Sequence, residues 1–359
     1  MTVHLSPEKL EALLEAWPRR VLFSQPSPIQ RLSRLGKALD TPAALYIKRD
    51  DQLRCFFGNK IRYLEYVLGL YDQAGADCLL HAGGMTSNYM AQLALIGASE
   101  GIPIHLILDG EKPEVFTGNP LLEEMCGARV HYQKKNEPTN RERKKKLAQK
   151  LRDQGRRPYV IDYPYSNFTA YLGYMRCYLE ICEQEKKGPQ FDMICLCSGW
   201  HSYLGLRMAA DLLGHQRDIV AFRPARWNDS GLYALFPDFN TFLGDKVKEF
   251  ASFLGMDIPC GKFQISEGYV GPGYGKTDAR TLAAIHLLAI QEGILLDPIY
   301  SGKAFAGLLE FLSTTEGNGR RNILFIHTGG TVNLFSFTRE ITGYLNGIHP
   351  CAPEANAVS

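Results

Sequence analysis

The chain has no excess of charge of either sign: 40 Lys and Arg stand against 38 Asp and Glu, a formal net charge of +2 over 359 residues. A balance so close to zero sets up no field that would draw in a polyanion, so neither nucleic acid nor a membrane surface is expected as a partner. No apolar run reaches the length that spans a bilayer, and residues 1–17 carry acids at helical spacing instead of a basic-then-apolar secretion signal. The nine cysteines are odd in number and follow no regular framework. Cys55, Cys78, Cys126, Cys195 and Cys197 therefore read as reduced thiols of a cytoplasmic protein. Two close pairs, Cys195 with Cys197 and Cys177 with Cys182, lack a second pair nearby, so no metal centre is expected. Both glycine signatures of nucleotide sites, Gly-x-Gly-x-x-Gly and Gly-x-x-x-x-Gly-Lys-Ser/Thr, are also missing, which argues against nucleotide cofactors.

What is present is the alternation of an α/β protein. With 45% hydrophobic residues the chain can bury a full core and has the length of two ordinary domains. After a short amphipathic helix near residues 7–16 and a connection over 26–35, strand-like runs are expected at 44–48, 78–82, 102–108, 128–132, 158–162, 191–197, 218–222 and 322–327. Helical spacing lies between them, over 60–74, 89–101, 119–125, 141–154, 167–185, 203–213, 240–254 and 277–291, and again after Lys303. Short buried strands separated by helices imply a mostly parallel sheet with helices on both faces. The basic run from Arg141 to Lys146 reads as the solvated face of a helix whose buried side is Leu147 and Leu151. The glycines of residues 268–275 exclude regular structure there.

Four junctions place small or hydroxyl residues where a strand gives way to a helix: residues 83–88, 198–202, 300–303 and 328–331. In open α/β sheets ligands bind at the carboxyl ends of strands, where helix N-termini offer unpaired N–H groups to anions. A fifth place is Lys60, expected as the first helical residue behind an Asn59 N-cap. An ammonium at the positive end of a helix dipole costs up to about 1 kcal/mol, a poor position for stability and a good one for a nucleophilic amine. These features describe an enzyme with an anion-binding centre.

The residues also resemble a family. Gly58-Asn59-Lys60-x-Arg62-x-Leu64-Glu65, Gly83-Gly84-x-x-Ser87-Asn88, Gly273-Tyr274-Gly275, Asp297-Pro298-x-Tyr300-x-Gly302-Lys303-Ala304 and His327-Thr328-Gly329-Gly330 occur in the order seen in D-cysteine desulfhydrases and 1-aminocyclopropane-1-carboxylate deaminases. The resemblance covers about residues 20–340. It implies a pyridoxal 5'-phosphate enzyme of the tryptophan-synthase-β type (fold type II), with two open, mostly parallel twisted sheets flanked by helices. It further implies a large cofactor-binding domain of residues 1–58 and 163–359, a small domain of residues 59–162, and a homodimer. On the same basis Lys60 anchors the cofactor covalently. Asn88 holds its phenolic oxygen, Ser87 and nearby N–H groups take the substrate carboxylate, Tyr274 and Tyr300 face the substrate, and Thr328 meets the pyridine nitrogen. A hydroxyl there leaves that nitrogen largely neutral, a weaker electron sink that favours rapid loss of a β-substituent. Ring-opening deaminases carry Tyr-Glu-Gly-Lys where this chain has Tyr300-Ser301-Gly302-Lys303, which tilts the reading toward the desulfhydrases.

Two departures stand out. The family's phosphate loop is close to Gly-Ser-Gly-Gly-Thr, whereas residues 197–206 are one residue longer and insert bulk at Trp200 and His201. Ser198, Gly199 and Ser202 can still serve a phosphate, and His201 could add a charge-assisted bond. The second is Tyr89, where relatives place His or Gln beside the substrate. The expected activity is α,β-elimination from a small amino acid to a keto acid and ammonia. The alternatives are β-replacement or ring-opening deamination in amino-acid biosynthesis, and a binding protein that has lost the cofactor.

Overall fold

The computed structural model describes residues 4–54, 58–133, 139–229, 235–314, 317 and 319–347; Cys55 and Phe57 lie outside them. Among these residues the strands are β1 (Ile29–Arg31), β2 (Ala44–Lys48), β3 (Cys78–Gly84), β4 (Ile104–Asp109), β5 (Arg129–Gln133), β6 (Pro158–Val160), β7 (Met193–Cys197), β8 (Asp218–Phe222), β9 (Gln264–Ser266) and β10 (Asn322–Ile326). They form two sheets, one ordered β1-β2-β10-β7-β8-β9 and the other β5-β4-β3-β6. Every pairing is parallel except the antiparallel edge strand β1 on β2. The α/β architecture with two mostly parallel sheets expected from the sequence is thus present.

The central strands explain the order. All five residues of β7 are buried, and β10 is buried after its first residue, the near-continuous apolar run of strands covered on both faces. Register then aligns the ends that matter. Ile326 of β10 pairs with Lys48 of β2 and with Leu196 of β7, so the loops that carry Asp50, Thr328 and Ser198 leave the sheet at one level. The helix Tyr165–Glu185 packs on His201–Leu212 and on Ile61–Gln73. Its Tyr171, Tyr174 and Tyr178 are fully buried, as helical spacing of aromatics predicts.

Some elements differ from expectation. The connection over 26–35 contains β1 and the start of a short helix, Ser33–Ala38; β1 is held by pairing with β2, and the helix packs on β2 and on the helix Ala279–Glu292, whose Glu292 accepts the Leu35 N–H, tertiary contacts that local pattern does not reveal. Strand β9, the 3-10 turn Thr331–Phe337 and the helix Thr338–Leu345 are also absent from the expected elements, although the last is amphipathic. The basic run is not wholly solvated. Arg143 and Lys144 are buried, paired with Asp109 at 2.7 Å and Asp162 at 2.8 Å; their long stems cover apolar surface while their charges find carboxylates.

A buried ionic cluster lies under the start of the helix Ile61–Gln73. The Arg62 guanidinium grips Asp50 through two bonds, Nε to Oδ2 at 2.8 Å and Nη2 to Oδ1 at 2.7 Å, and reaches Glu180 through Nη1 at 2.9 Å. Lys48 Nζ bonds the same Glu180 and also Gln184 Oε1 at 2.8 Å and the Ser27 carbonyl at 3.1 Å. Burial by itself would raise the Glu180 carboxyl, but Arg62 and Lys48 outweigh it and hold it down at about 2. Replacing Arg62 with Met leaves the buried Asp50 carboxylate without its cation and Glu180 with Lys48 alone, and is expected to cost about 3–5 kcal/mol in chemical denaturation. Because the folded value of Glu180 lies below its ordinary 4.5, its contribution is complete above that pH and is lost as pH falls toward about 2. The melting temperature should therefore decline more steeply through that acid window in the native protein than in Glu180→Gln.

Candidate active site

Lys60 is brought to the end of β10 by backbone. Gly58 forms an isolated antiparallel bridge with Gly329, Asn59 N–H donates to the Thr328 carbonyl at 3.1 Å, and Asp51 N–H donates to the His327 carbonyl at 3.1 Å. Gly58 has φ +122°, and a Cβ on it would come 2.3 Å from the Thr328 oxygen, so only glycine permits this approach. The helix then runs Ile61–Gln73 with Lys60 itself in the cap position. Asn59 does not cap it. Its amide instead donates to Tyr174 Oη at 2.8 Å and to Ser202 Oγ at 3.4 Å, while the Ile61 N–H finds Gln92 Oε1 at 3.0 Å. A side chain from another helix supplies the cap, which frees Asn59 to tie the lysine loop to the ionic cluster through Tyr174 and Asp50 (3.3 Å). Lys60 Nζ sits 4.8 Å above the centroid of the Tyr63 ring and 3.4 Å from its hydroxyl, and that hydroxyl is hydrogen-bonded to Ser202 Oγ.

Ser202 belongs to the loop after β7. The N–H groups of Gly199, Trp200, His201 and Ser202 have no acceptor among the described residues, and they lie at the start of the helix His201–Leu212. Four free N–H groups at a helix N-terminus form an anion cradle whose donors are mainly backbone. The added bulk turns away from it. Trp200 stacks on His201 at 4.4 Å and meets the Phe242 ring at 5.2 Å, at the edge of the core. His201 Nε2 donates to Asn167 Oδ1 at 2.9 Å, which leaves Nδ1 an acceptor. Burial, with the nearby Lys60 charge, pushes the imidazole down to about 3, so it is neutral and offers an anion its backbone N–H only. Ser198 Oγ accepts from the Tyr203 N–H at 3.3 Å and braces the turn.

Across from this loop, β3 leads through Ser87 into the helix Asn88–Glu100, and the Ser87 hydroxyl makes no capping bond. Asn88 Oδ1 accepts from both Asn119 Nδ2 and Asn333 Nδ2, each at 2.9 Å. With the carbonyl oxygen doubly held, the Asn88 amide can only present Nδ2 as a donor to the site. A Cβ on Gly330 would come 2.6 Å from that nitrogen, so a glycine keeps its approach open. Tyr89 packs between His81 (5.0 Å) and Tyr63 (6.2 Å), and its buried hydroxyl has no partner among the described residues.

The two tyrosines close the remaining side. Lys303 Nζ donates to the carbonyls of Val270 at 2.7 Å and Gly273 at 2.8 Å, so the glycine-rich loop is fixed from behind and presents Tyr274. The Tyr274 and Tyr300 hydroxyls are bonded to one another, and Tyr300 Oη donates to the Thr86 carbonyl at 3.2 Å. Buried Asp297 sets the Tyr300 backbone by accepting the N–H groups of Ile299 (2.9 Å), Tyr300 (2.9 Å) and Ser301 (2.7 Å), together with the Ser301 hydroxyl (2.6 Å). Burial, with Tyr274 alongside, raises the Tyr300 phenol well above its usual range. Thr328 is nearly buried, and its hydroxyl has no protein partner among the described residues. Contacts thus bring Lys60, the 198–202 loop, Asn88, the tyrosine pair and Thr328 together at the loops that follow β3, β7 and β10. Sequence reasoning did not single out Asn119, Asn333, Tyr63 or Asn167 as parts of the site.

A family model described as pyridoxal-phosphate dependent enzyme matches residues 22–329. The chain belongs to that family. It is 33% identical over 340 residues to a D-cysteine desulfhydrase of Yersinia pestis, an alignment covering 92% of this chain and 99% of the relative. A crystal structure of an ACC deaminase homologue superposes with a TM-score of 0.81 at 30% identity, covering 95% of this chain and 100% of that one. The tomato (Solanum lycopersicum) threonine deaminase isoform 2, at 15% identity and a TM-score of 0.59 over 96% of this chain and 91% of that one, shares the fold. The cleft fits the family's cofactor: a primary amine for its aldehyde, an amide donor for its phenolic oxygen, a free hydroxyl for its ring nitrogen and unpaired N–H groups for its phosphate. Replacing Asn119 with Ala releases one of the two donors that orient Asn88. It should weaken pyridoxal phosphate binding about tenfold, the loss of roughly one good hydrogen bond, measured by absorbance titration.

Proposed function

We propose that this family member is a D-cysteine-desulfhydrase-like lyase, removing a β-substituent from a small amino acid to leave a keto acid and ammonia. The observation that favours elimination over ring opening is at residue 301. There a buried serine, its hydroxyl held by Asp297 at 2.6 Å, occupies the place of the carboxylate of ring-opening deaminases, and the unpartnered Thr328 hydroxyl is left to meet the pyridine nitrogen. The similarity to D-cysteine desulfhydrases along 92% of the chain supports the same reading.

When bound, pyridoxal phosphate supplies an electron sink that makes the substrate α-proton removable. The chain's own groups supply the rest. Lys60 anchors the cofactor and, once freed, takes the α-proton. Ser87 and the N–H groups opening the helix Asn88–Glu100 receive the substrate carboxylate, and Asn88 Nδ2 donates to the phenolic oxygen. The backbone N–H groups of Gly199, Trp200, His201 and Ser202 hold the phosphate, and Ser198, whose own N–H is taken by the Phe222 carbonyl, braces their turn. Tyr300, its phenol kept protonated by burial, can hand a proton to the departing β-group, and Tyr274, which is exposed, can replace it from solvent. Tyr89 shapes the wall beside the substrate. In this reading residues 59–162, which hold the four-stranded sheet, act as a small domain beside the larger one of residues 1–58 and 163–359, and the enzyme works as a homodimer in the cytoplasm.

Purified protein given pyridoxal phosphate should show the band of a lysine-linked cofactor, and D-cysteine should change that band while sulfide and keto acid appear in equal amounts. Lys60→Ala should abolish the linked band and lower turnover by roughly 10³-fold or more. A variant that kept both would sink the assignment of Lys60. Incorporation of an added thiol or amine into the product would identify β-replacement instead.

A further inference from the structure

Tyr63 stands where no part of the activity described above requires a phenol. Its ring is buried and pinned on two sides, by Tyr174 at 5.9 Å and Tyr89 at 6.2 Å. One face carries the Lys60 ammonium at 4.8 Å from the centroid. Its hydroxyl lies between Lys60 Nζ, at 3.4 Å, and Ser202 Oγ. It therefore spans the distance from the amine to the anion cradle.

The direction of the donors follows from the groups at the far end. Asp50 is gripped by Arg62, and its carboxylate accepts from Tyr174 Oη at 3.3 Å, so that phenol accepts from Asn59 Nδ2 at 2.8 Å. The other proton of the same amide points at Ser202 Oγ, 3.4 Å away. A serine hydroxyl accepts at most two hydrogen bonds and donates one. If Tyr63 is the second donor to Ser202, the serine proton is free for an anion at the loop, and the Tyr63 oxygen is left to accept an N–H of Lys60. The order is Lys60 N–H to Tyr63, Tyr63 O–H to Ser202, and Ser202 O–H to the anion.

We propose that Tyr63 is a positioning residue that couples occupancy of the 199–202 anion cradle to the orientation of the Lys60 amine. An anion in the cradle draws the Ser202 proton toward itself, which fixes Tyr63 as donor to Ser202 and acceptor from Lys60. One Lys60 N–H is then held on Tyr63, and the nitrogen lone pair faces the other way, toward an incoming carbonyl. With the cradle empty, Ser202 can donate to Tyr63 instead; the Tyr63 proton then turns to the neutral Lys60 nitrogen and occupies the lone pair that would meet a carbonyl. The inference rests on the assignment of Lys60 as the anchoring amine.

The test separates the two halves of the cofactor. The full-length chain is mixed with pyridoxal, which lacks the phosphate, and formation of the lysine-linked band is followed with and without inorganic phosphate. In the native chain phosphate should speed formation of the band about tenfold. In Tyr63→Phe, which keeps the ring and loses the relay, and in Ser202→Ala, pyridoxal should still link but the acceleration should fall below about twofold. The double variant should be no worse than either single one, because both break the same chain of donors. A full phosphate effect in Tyr63→Phe, or none in the native chain, overturns the coupling; if Tyr63→Phe does not fold, Ser202→Ala decides alone. A band that forms in Lys60→Ala overturns the anchoring assignment instead.

Discussion

The paired grip of Arg62 on Asp50 is the constraint on which the rest of the cleft depends. Arginine and aspartate are both almost wholly removed from water, a situation that is costly unless geometry is good and every remaining donor is satisfied. Here Glu180, Ser27 and Tyr174 complete the set. Since Arg62 follows Lys60 by two residues, the position of the helix start is locked to the base of β2 through a charged contact that tolerates little displacement. Tyr174 and Asn59 extend that lock to within one bond of Ser202. Position is thereby passed from a buried ion pair to an amine and an anion cradle without any of the three touching the others directly.

Asparagine does much of the remaining alignment. Asn119, in the helix Gly118–Met125, and Asn333, in the 3-10 turn Thr331–Phe337, together hold one oxygen of Asn88, and Asn167 fixes the tautomer of His201. Each contact is between uncharged groups, so it sets direction without adding to the field at the cofactor position. The charged members of the cleft are then few, and Lys60 faces its neighbours with little competition.

How much of this could be read from the sequence depends on whether a feature is local. The alternation of strands and helices, the buried aromatics of the helix Tyr165–Glu185 and the lysine at a helix start are local patterns, and the structure has all three. The roles of Asn119 and Asn333 are not local: they lie 31 and 245 residues from Asn88, and nothing in their own neighbourhoods marks them. Asn59 misled for a related reason. Asparagine before a helix is a good cap by propensity, but Gln92 from the next helix takes that task, and tertiary contact overrides the local preference. The short strand β1 and the helix Ser33–Ala38 escaped notice in the same way, since the strand is held by β2 and the helix by β2 and the helix Ala279–Glu292 and not by their own residues.

The loop at 198–202 shows what kind of site can drift unseen. The donors it offers an anion are, apart from the Ser202 hydroxyl, peptide N–H groups, which every residue but proline possesses, so the side chains at 199–201 are largely unconstrained by such a ligand. A lineage can exchange glycines for tryptophan and histidine there, provided the new side chains find room outside, as Trp200 does against Phe242. Recognition by main chain is thus conserved as a shape while its spelling is erased, and such a loop is robust to mutation for the same reason that a motif search passes over it.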